Sequence, residues 1–160
     1  MGTTKGATPA IVALAAQGIA HTVHHLTAHP GEEGFGKAAA RSLGVEERQV
    51  FKTLLARADG MPVVGIVPVS GTLALKALAQ VMSAKRCEMM ERRDAERLTG
   101  YVVGGISPFG QRQRLVTVLD ESAFEFSTIF VSGGRRDLDI ELAPQDLVTM
   151  CDARVGAISG

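Results

Sequence analysis

An excess of charge is missing from this chain: 17 Lys and Arg stand against 17 Asp and Glu over 160 residues, and the basic ones are spread out. That excludes the basic footprint of a protein gripping long duplexes by their phosphates, so any nucleic-acid contact is expected to be local. Cysteine is scarce. Cys87 and Cys151 lie far apart and belong to no CxxC pair, which argues against a structural zinc site or disulfide framework and leaves two buried, reduced thiols as the expectation. No apolar run reaches the roughly 18 residues that a membrane-spanning helix needs. The start lacks a charged segment followed by an apolar core and cleavage site, and Met1-Gly2 is followed by Gly6 where a myristoylation signal needs Ser or Thr. Cytoplasmic residence, with no membrane contact, is the expectation. Neither the GxxxxGK[ST] phosphate loop nor the dinucleotide fingerprint occurs, and there is no GxSxG elbow or HExxH helix. ATP, NAD and a serine nucleophile are therefore not favoured, and no cofactor is expected.

What is present suits one globular domain, since 46% of the residues are apolar and a chain of this length buries well over half of its unfolded surface. Residues 1–6 are expected to be mobile, and residues 7–159 to form the domain. Thr8 is placed to cap a first helix with Pro9 at its first position and Gly18 at its end. A strand is expected over 19–26, a loop through His29-Pro30-Gly31-Glu32-Glu33-Gly34, and a second helix over 35–43 that stops at Gly44. Asp59-Gly60 between two apolar runs signals a hairpin with arms 50–58 and 62–69. Helices are expected over 73–82 and 91–98, strands over 114–119, 127–131 and 138–142, and a final helix from Pro144 to near Cys151. Hairpin-like connections predict an α/β (α+β) fold: a mixed, mostly antiparallel sheet or partial barrel surrounded by short helices.

Lys52 is the most informative residue. In Val50-Phe51-Lys52-Thr53-Leu54-Leu55, strand alternation puts Lys52 on the face of Val50 and Leu54, a cation among apolar neighbours. It must reach the rim, pair with an anion or lose its charge, because isolated buried charge is too costly. Two glycine-rich turns add to this. Gly104-Gly105-Ile106-Ser107-Pro108 permits positive φ and close backbone approach, and its N–H groups are suited to an anion or carbonyl site, although a plain tight turn has the same letters. Ser132-Gly133-Gly134-Arg135-Arg136 offers two guanidinium groups to a phosphate, or two solvated arginines at a hairpin tip. His21, His24, His25 and His29 crowd within nine residues, yet they lack metal-ligand spacing, and no metal is expected.

Taken together, Thr8-Pro9-Ala10, Phe35-Gly36, Phe51-Lys52-Thr53-Leu54, the run from Thr99 through Tyr101 to Gly110, Val131-Ser132-Gly133-Gly134 and Leu138-Asp139-Ile140-Glu141-Leu142 resemble the YbaK/EbsC family over nearly the whole chain. The likeness is greatest to YbaK-type Cys-tRNA(Pro) deacylases, free-standing relatives of the editing domain of prolyl-tRNA synthetase. The resemblance implies an enzyme that clears cysteine from mischarged proline tRNA, with prolyl-tRNA synthetase as partner and the substrate's own thiol attacking its ester. It implies catalytic roles for Lys52, Gly104 and Gly105. Substrate contacts fall to Thr53, Ile106, Ser107, Pro108, Ser132, Gly133, Gly134 and Asp139. Leu26 replaces a tyrosine common among relatives, and His21 a frequent aromatic, so that wall of the pocket differs from theirs. Removal of alanine by water, and a module that binds tRNA ends or a synthetase without turnover, are the alternatives. Oligomeric state is not legible.

Overall fold

The computed structural model describes residues 7–27 and 34–160, and the expectations for residues 1–6 and His29 fall outside them. The described chain runs α1 (Pro9–Ala16), β1 (Thr22–His25), α2 (Phe35–Leu43), β2 (Phe51–Ala58), β3 (Met61–Pro68), α3 (Leu75–Val81), β4 (Cys87–Met89), α4 (Arg92–Thr99), β5 (Val116–Asp120), β6 (Ile129–Arg135), β7 (Leu138–Leu142), α5 (Pro144–Cys151) and β8 (Arg154–Gly156). Short 3₁₀ turns occupy Glu47–Gln49 and Glu121–Glu125. None of the described helices is long and apolar enough to cross a membrane.

Local chemistry accounts for most boundaries. Thr8 is extended and its Oγ1 accepts the Ile11 N–H at 3.3 Å, with Pro9 opening α1. Gly44 ends α2 in the left-handed region at φ 70°. Asp59 and Gly60 both take positive φ, 48° and 87°, the geometry of a two-residue hairpin turn whose twist matches its strands. The Asp59 carboxylate also accepts the N–H groups of Lys85 and Arg86 at 2.9 and 3.1 Å, which delivers β4 to the edge of β2.

The strands divide between two sheets. One is mixed, in the order β4-β2-β3-β5-β8, antiparallel through β3 and parallel from β3 to β8. The other is antiparallel, in the order β1-β7-β6. A single parallel bridge between Val50 and Phe130 joins them, giving an open, barrel-like arrangement rather than a closed one. The mostly antiparallel, helix-surrounded fold expected from sequence is thus found.

Strand β3 is covered on both faces, with Val64 and Ile66 in the main core and Val63 and Val67 in a second core beneath α3. This is why its apolar residues run on without polar alternation. The main core joins Leu14 of α1, Phe51 and Leu55 of β2, Ile140 and Leu142 of β7 and Leu147 of α5. Each such side chain contributes roughly 1.5–3 kcal/mol by leaving water. A third cluster, Ala39, Ala40, Val50, Val69 and Phe130, seats α2 where the two sheets meet.

The chain end is tied down by one buried carboxylate. Asp120, 3% exposed, accepts the Ile158 and Ser159 N–H groups at 2.9 and 3.0 Å with one oxygen, and the Ser122 N–H and hydroxyl with the other. We expect Asp120→Ala to cost about 3 kcal/mol in urea unfolding, because one buried and three half-buried donors lose their acceptor at once. A change below about 0.5 kcal/mol would show that those donors find other partners.

Candidate active site

The site forms where α2, β2, the loop after α4 and the β6–β7 turn converge. Helix α2 lies hard against the end of β3: a Cβ on Gly36 would stand 2.5 Å from Val69 Cγ1. Only glycine allows this approach, and it sets Phe35 at the edge of the site. After α4 the chain is stapled by Tyr101, whose hydroxyl donates to the Phe109 carbonyl at 2.7 Å. A β-turn follows. The Gly105 N–H donates to the Val102 carbonyl at 2.9 Å, with Gly104 third in the turn at φ +93°. That positive φ is what a type II turn demands. A Cβ on Gly104 would meet Phe35 Cδ2 at 2.7 Å, and one on Gly105 would meet the Arg135–Arg136 backbone at 3.0 Å.

The second glycine turn is a β-bulge. The β6–β7 register shifts between Ser132 and Arg135, the Gly134 N–H donates to Ser132 Oγ at 3.1 Å, and Thr8 Oγ1 donates to the Gly133 carbonyl. A side chain on Gly134, at φ +104°, would stand 2.8 Å from Tyr101 Cε1. These two glycines therefore serve packing between α1, Tyr101 and the bulge.

The convergence encloses a cavity of about 390 Å³. Of the residues expected at the site, Lys52, Thr53, Gly104, Ile106, Ser132 and Asp139 line it. Gly105, Ser107, Pro108, Gly133 and Gly134 are absent from the lining. Ser107 is fully buried and its Oγ accepts the Phe109 N–H at 3.3 Å. Pro108 faces a separate cavity of about 190 Å³ beside Arg114 and Cys151. Leu26 lines the main cavity and His21 does not. Phe35, Met89, Met90, Arg92, Val103 and Arg136 are also among its lining residues. Phe35 belonged to the family motif without a role, and the methionines and arginines carry no spacing signal because three different elements supply them.

Charge in the cavity is unbalanced. Its lining holds three cationic side chains, Lys52, Arg92 and Arg136, and one carboxyl, Asp139. Burial alone pushes the Asp139 carboxyl up to about 7, so it holds its proton in acid and weakly acidic solution. Lys52 is half-buried and joins no ion pair among the described residues. Burial, and then the nearby Lys37 charge, hold its ammonium below the ordinary lysine range. Thr53 Oγ1 is buried without a hydrogen-bond partner, a cost that a polar ligand would remove. Both arginines are exposed yet partnered: Arg92 pairs with Glu96 at 3.2 Å, and Arg136 lies 4.6 Å over the Phe35 ring.

The remaining reactive groups lie elsewhere. His24 bonds to Glu141 at 2.9 Å, and His21 Nδ1 lies 2.7 Å from the Ile19 carbonyl. Among the described residues no three His, Cys, Asp or Glu side chains form a metal-binding group. Both thiols are free and half-buried. Burial raises the Cys151 thiol to about 12 and, with Asp59, raises Cys87. Neither is a primed thiolate.

The sequence profile of the aminoacyl-tRNA editing domain matches residues 29–150. The chain belongs to that family. It is 38% identical over 124 residues to an Enterococcus faecalis protein provisionally assigned as the Cys-tRNA(Pro)/Cys-tRNA(Cys) deacylase EbsC, a match spanning 77% of this chain and 76% of that one. A 97-residue stretch is 34% identical to the proline–tRNA ligase of Geobacter metallireducens, covering 60% of this chain and 16% of the ligase. The fold matches the crystal structure of a proposed trans-editing enzyme for prolyl-tRNA synthetase with a TM-score of 0.85, at 22% identity over 99% of both chains. The enzyme class expected from sequence, an aminoacyl-tRNA deacylase, is the class to which these relatives point.

For this editing domain the raised carboxyl has a measurable consequence. Asp139 titrates near 3.8 when unfolded and at about 7 when folded, so its contribution to stability is complete below about pH 4 and lost as pH rises through 7. Asp139→Asn should therefore flatten the loss of stability between those limits, with a gain on the order of 2 kcal/mol over wild type at pH 8. Equal pH profiles in chemical denaturation would show that the carboxylate is solvated when folded.

Proposed function

We propose that this editing domain acts in trans to clear cysteine from mischarged proline tRNA, using the substrate's own thiol. The observation that carries this reading is a cavity rich in cations and poor in nucleophiles. Among the described residues its lining holds three cationic side chains but no histidine or cysteine. The Ser132 hydroxyl accepts the Gly134 N–H at 3.1 Å, and among the described residues no side-chain base is hydrogen-bonded to it, although Asp139 stands opposite it in the β6–β7 pairing. With no hydrogen-bonded nucleophile–base pair in place among those residues, attack is assigned to the substrate or to water.

In the substrate-assisted route, the cysteine sulfur bonds to its own ester carbonyl carbon. The carbon–oxygen bond to the ribose breaks, the ribose oxygen leaves with the thiol's proton, and a cyclic thioester departs. Tethering supplies much of the rate, since the nucleophile is already on the reacting molecule. The domain's part is to hold the tRNA end and the reactive rotamer. Lys52 suits a phosphate of the terminal nucleotide: an anion beside it offsets the burial and the Lys37 charge that disfavour its ammonium form. The orphan Thr53 hydroxyl offers a hydrogen bond to the aminoacyl group, and N–H groups of the Gly104 loop offer donors to the developing oxyanion. Leu26, Met90 and Ile106 supply an apolar wall. Serine esters are spared because a hydroxyl is a far weaker nucleophile than a thiol. A neutral net charge leaves selection of the tRNA largely to prolyl-tRNA synthetase.

The test is deacylation of proline tRNA carrying cysteine, alanine, serine or proline, with and without prolyl-tRNA synthetase. Wild type should release cysteine only, and Lys52→Ala should lose at least ~100-fold of that rate, within the range for removal of a transition-state electrostatic contact. Release of alanine instead would assign the domain to water-mediated hydrolysis. No release from any ester would leave a binding module.

A further inference from the structure

We infer that Arg136 is a positioning residue for the reaction: it holds the Val103–Gly104 peptide in the orientation that presents the Gly104 N–H to the ester. This inference rests on the deacylase reading above and assigns a role to a residue whose side chain, by sequence alone, is equally a phosphate ligand or a solvated arginine.

The Val103 peptide groups are gripped from both sides. On one side, Glu96 Oε2 accepts the Val103 N–H at 2.8 Å. On the other, Arg136 donates Nε and Nη2 to the Val103 carbonyl at 3.1 and 2.9 Å. Glu96 is kept ionised by that backbone N–H first and by Arg92 and Arg136 next, which hold its carboxyl below the usual range. The Arg136 guanidinium is fixed in turn by its seat over Phe35, and its backbone abuts Gly105.

The bond to the Val103 carbonyl matters because of where that peptide lies. It is the central peptide of the turn between Val102 and Gly105, and types I and II of such a turn differ by a flip of this one peptide plane. The positive φ of Gly104 marks the type II orientation. Glycine alone leaves the two orientations close in energy. Arg136 removes the ambiguity, since a flip would forfeit both of its hydrogen bonds. All peptides here are trans, so pinning the carbonyl fixes the Gly104 N–H on the opposite side of the same plane. Among the described residues that N–H makes no hydrogen bond, and Gly104 lines the cavity. Gly104 is exposed, so this N–H is open to solvent until a substrate covers it; a donor held in place and not committed to a protein acceptor is what a developing oxyanion needs.

The experiment is single-turnover deacylation of cysteinyl proline tRNA by wild type, Arg136→Ala and Arg136→Lys at two salt concentrations, with the amide resonance of Gly104 followed in parallel. Arg136→Ala should slow the bond-breaking step ~10- to 100-fold, leave half-saturation within about twofold, keep the salt dependence, and shift the Gly104 resonance. Arg136→Lys, which retains one donor, should recover part of the rate. Half-saturation raised with the salt dependence flattened and the rate constant unchanged would make Arg136 a phosphate contact instead. Full rate in Arg136→Ala would overturn the inference while leaving the deacylase reading intact. A wild type inert on every ester would overturn that reading, and the role given to Arg136 with it.

Discussion

The site depends on close contact between two backbone segments, the loop at Gly104-Gly105 and the turn at Arg135–Arg136. A side chain at Gly105 would drive into that turn, and one at Gly104 would drive into Phe35. Because neither exists, the loop after α4 sits directly on the β6–β7 turn and closes the cavity over β2. The same contact lets Arg136 reach the Val103 carbonyl. Gly36 performs the matching service on the other side, letting α2 press on Val69. Three missing side chains thus bring together elements that are remote in sequence.

The protein tolerates local cost at this junction. Among the described residues, an ammonium without an ion-pair partner, a carboxyl pushed up to about 7 by burial and an orphan hydroxyl all converge on one cavity. Each opposes folding by an amount that a phosphate, a polar aminoacyl group or a proton would relieve. Buried polar groups elsewhere are satisfied: Asp120 gathers four hydrogen bonds, and Thr99 donates to Ala95 while accepting from Tyr101. The three apolar clusters carry the stability, and the unmet demands collect where a substrate would bind.

Much of the fold was legible locally. Helices α2 and α5, strand β7 and the Asp59-Gly60 hairpin stand where caps, prolines and turn residues place them. Strands β4 and β8 were not legible. Each has three residues, too few for alternation to register, and each exists because a longer strand offers an edge. The site was legible in part for a similar reason. Lys52 stands out as a cation on an apolar strand, and the glycine runs stand out by composition. Gly133 and Gly134 carry the same compositional signal, yet they pack against Leu138, Thr8 and Tyr101. Arg92, Glu96 and Arg136 look like ordinary surface charge until their partners are known.

By itself, the sequence determined where the chain turns, which faces are apolar, and that one lysine lies where a charge needs a reason. These follow from φ preferences and burial, which act residue by residue. Only the tertiary structure decided that the strands split into two sheets meeting at Val50 and Phe130. It alone decided that Lys52, Asp139 and the Gly104 loop share a cavity, and that Arg136 bonds to the Val103 carbonyl at the exposed edge of that cavity. The reason is distance along the chain: these contacts join segments dozens of residues apart, and neither member of a pair carries the mark of the other until packing brings them together.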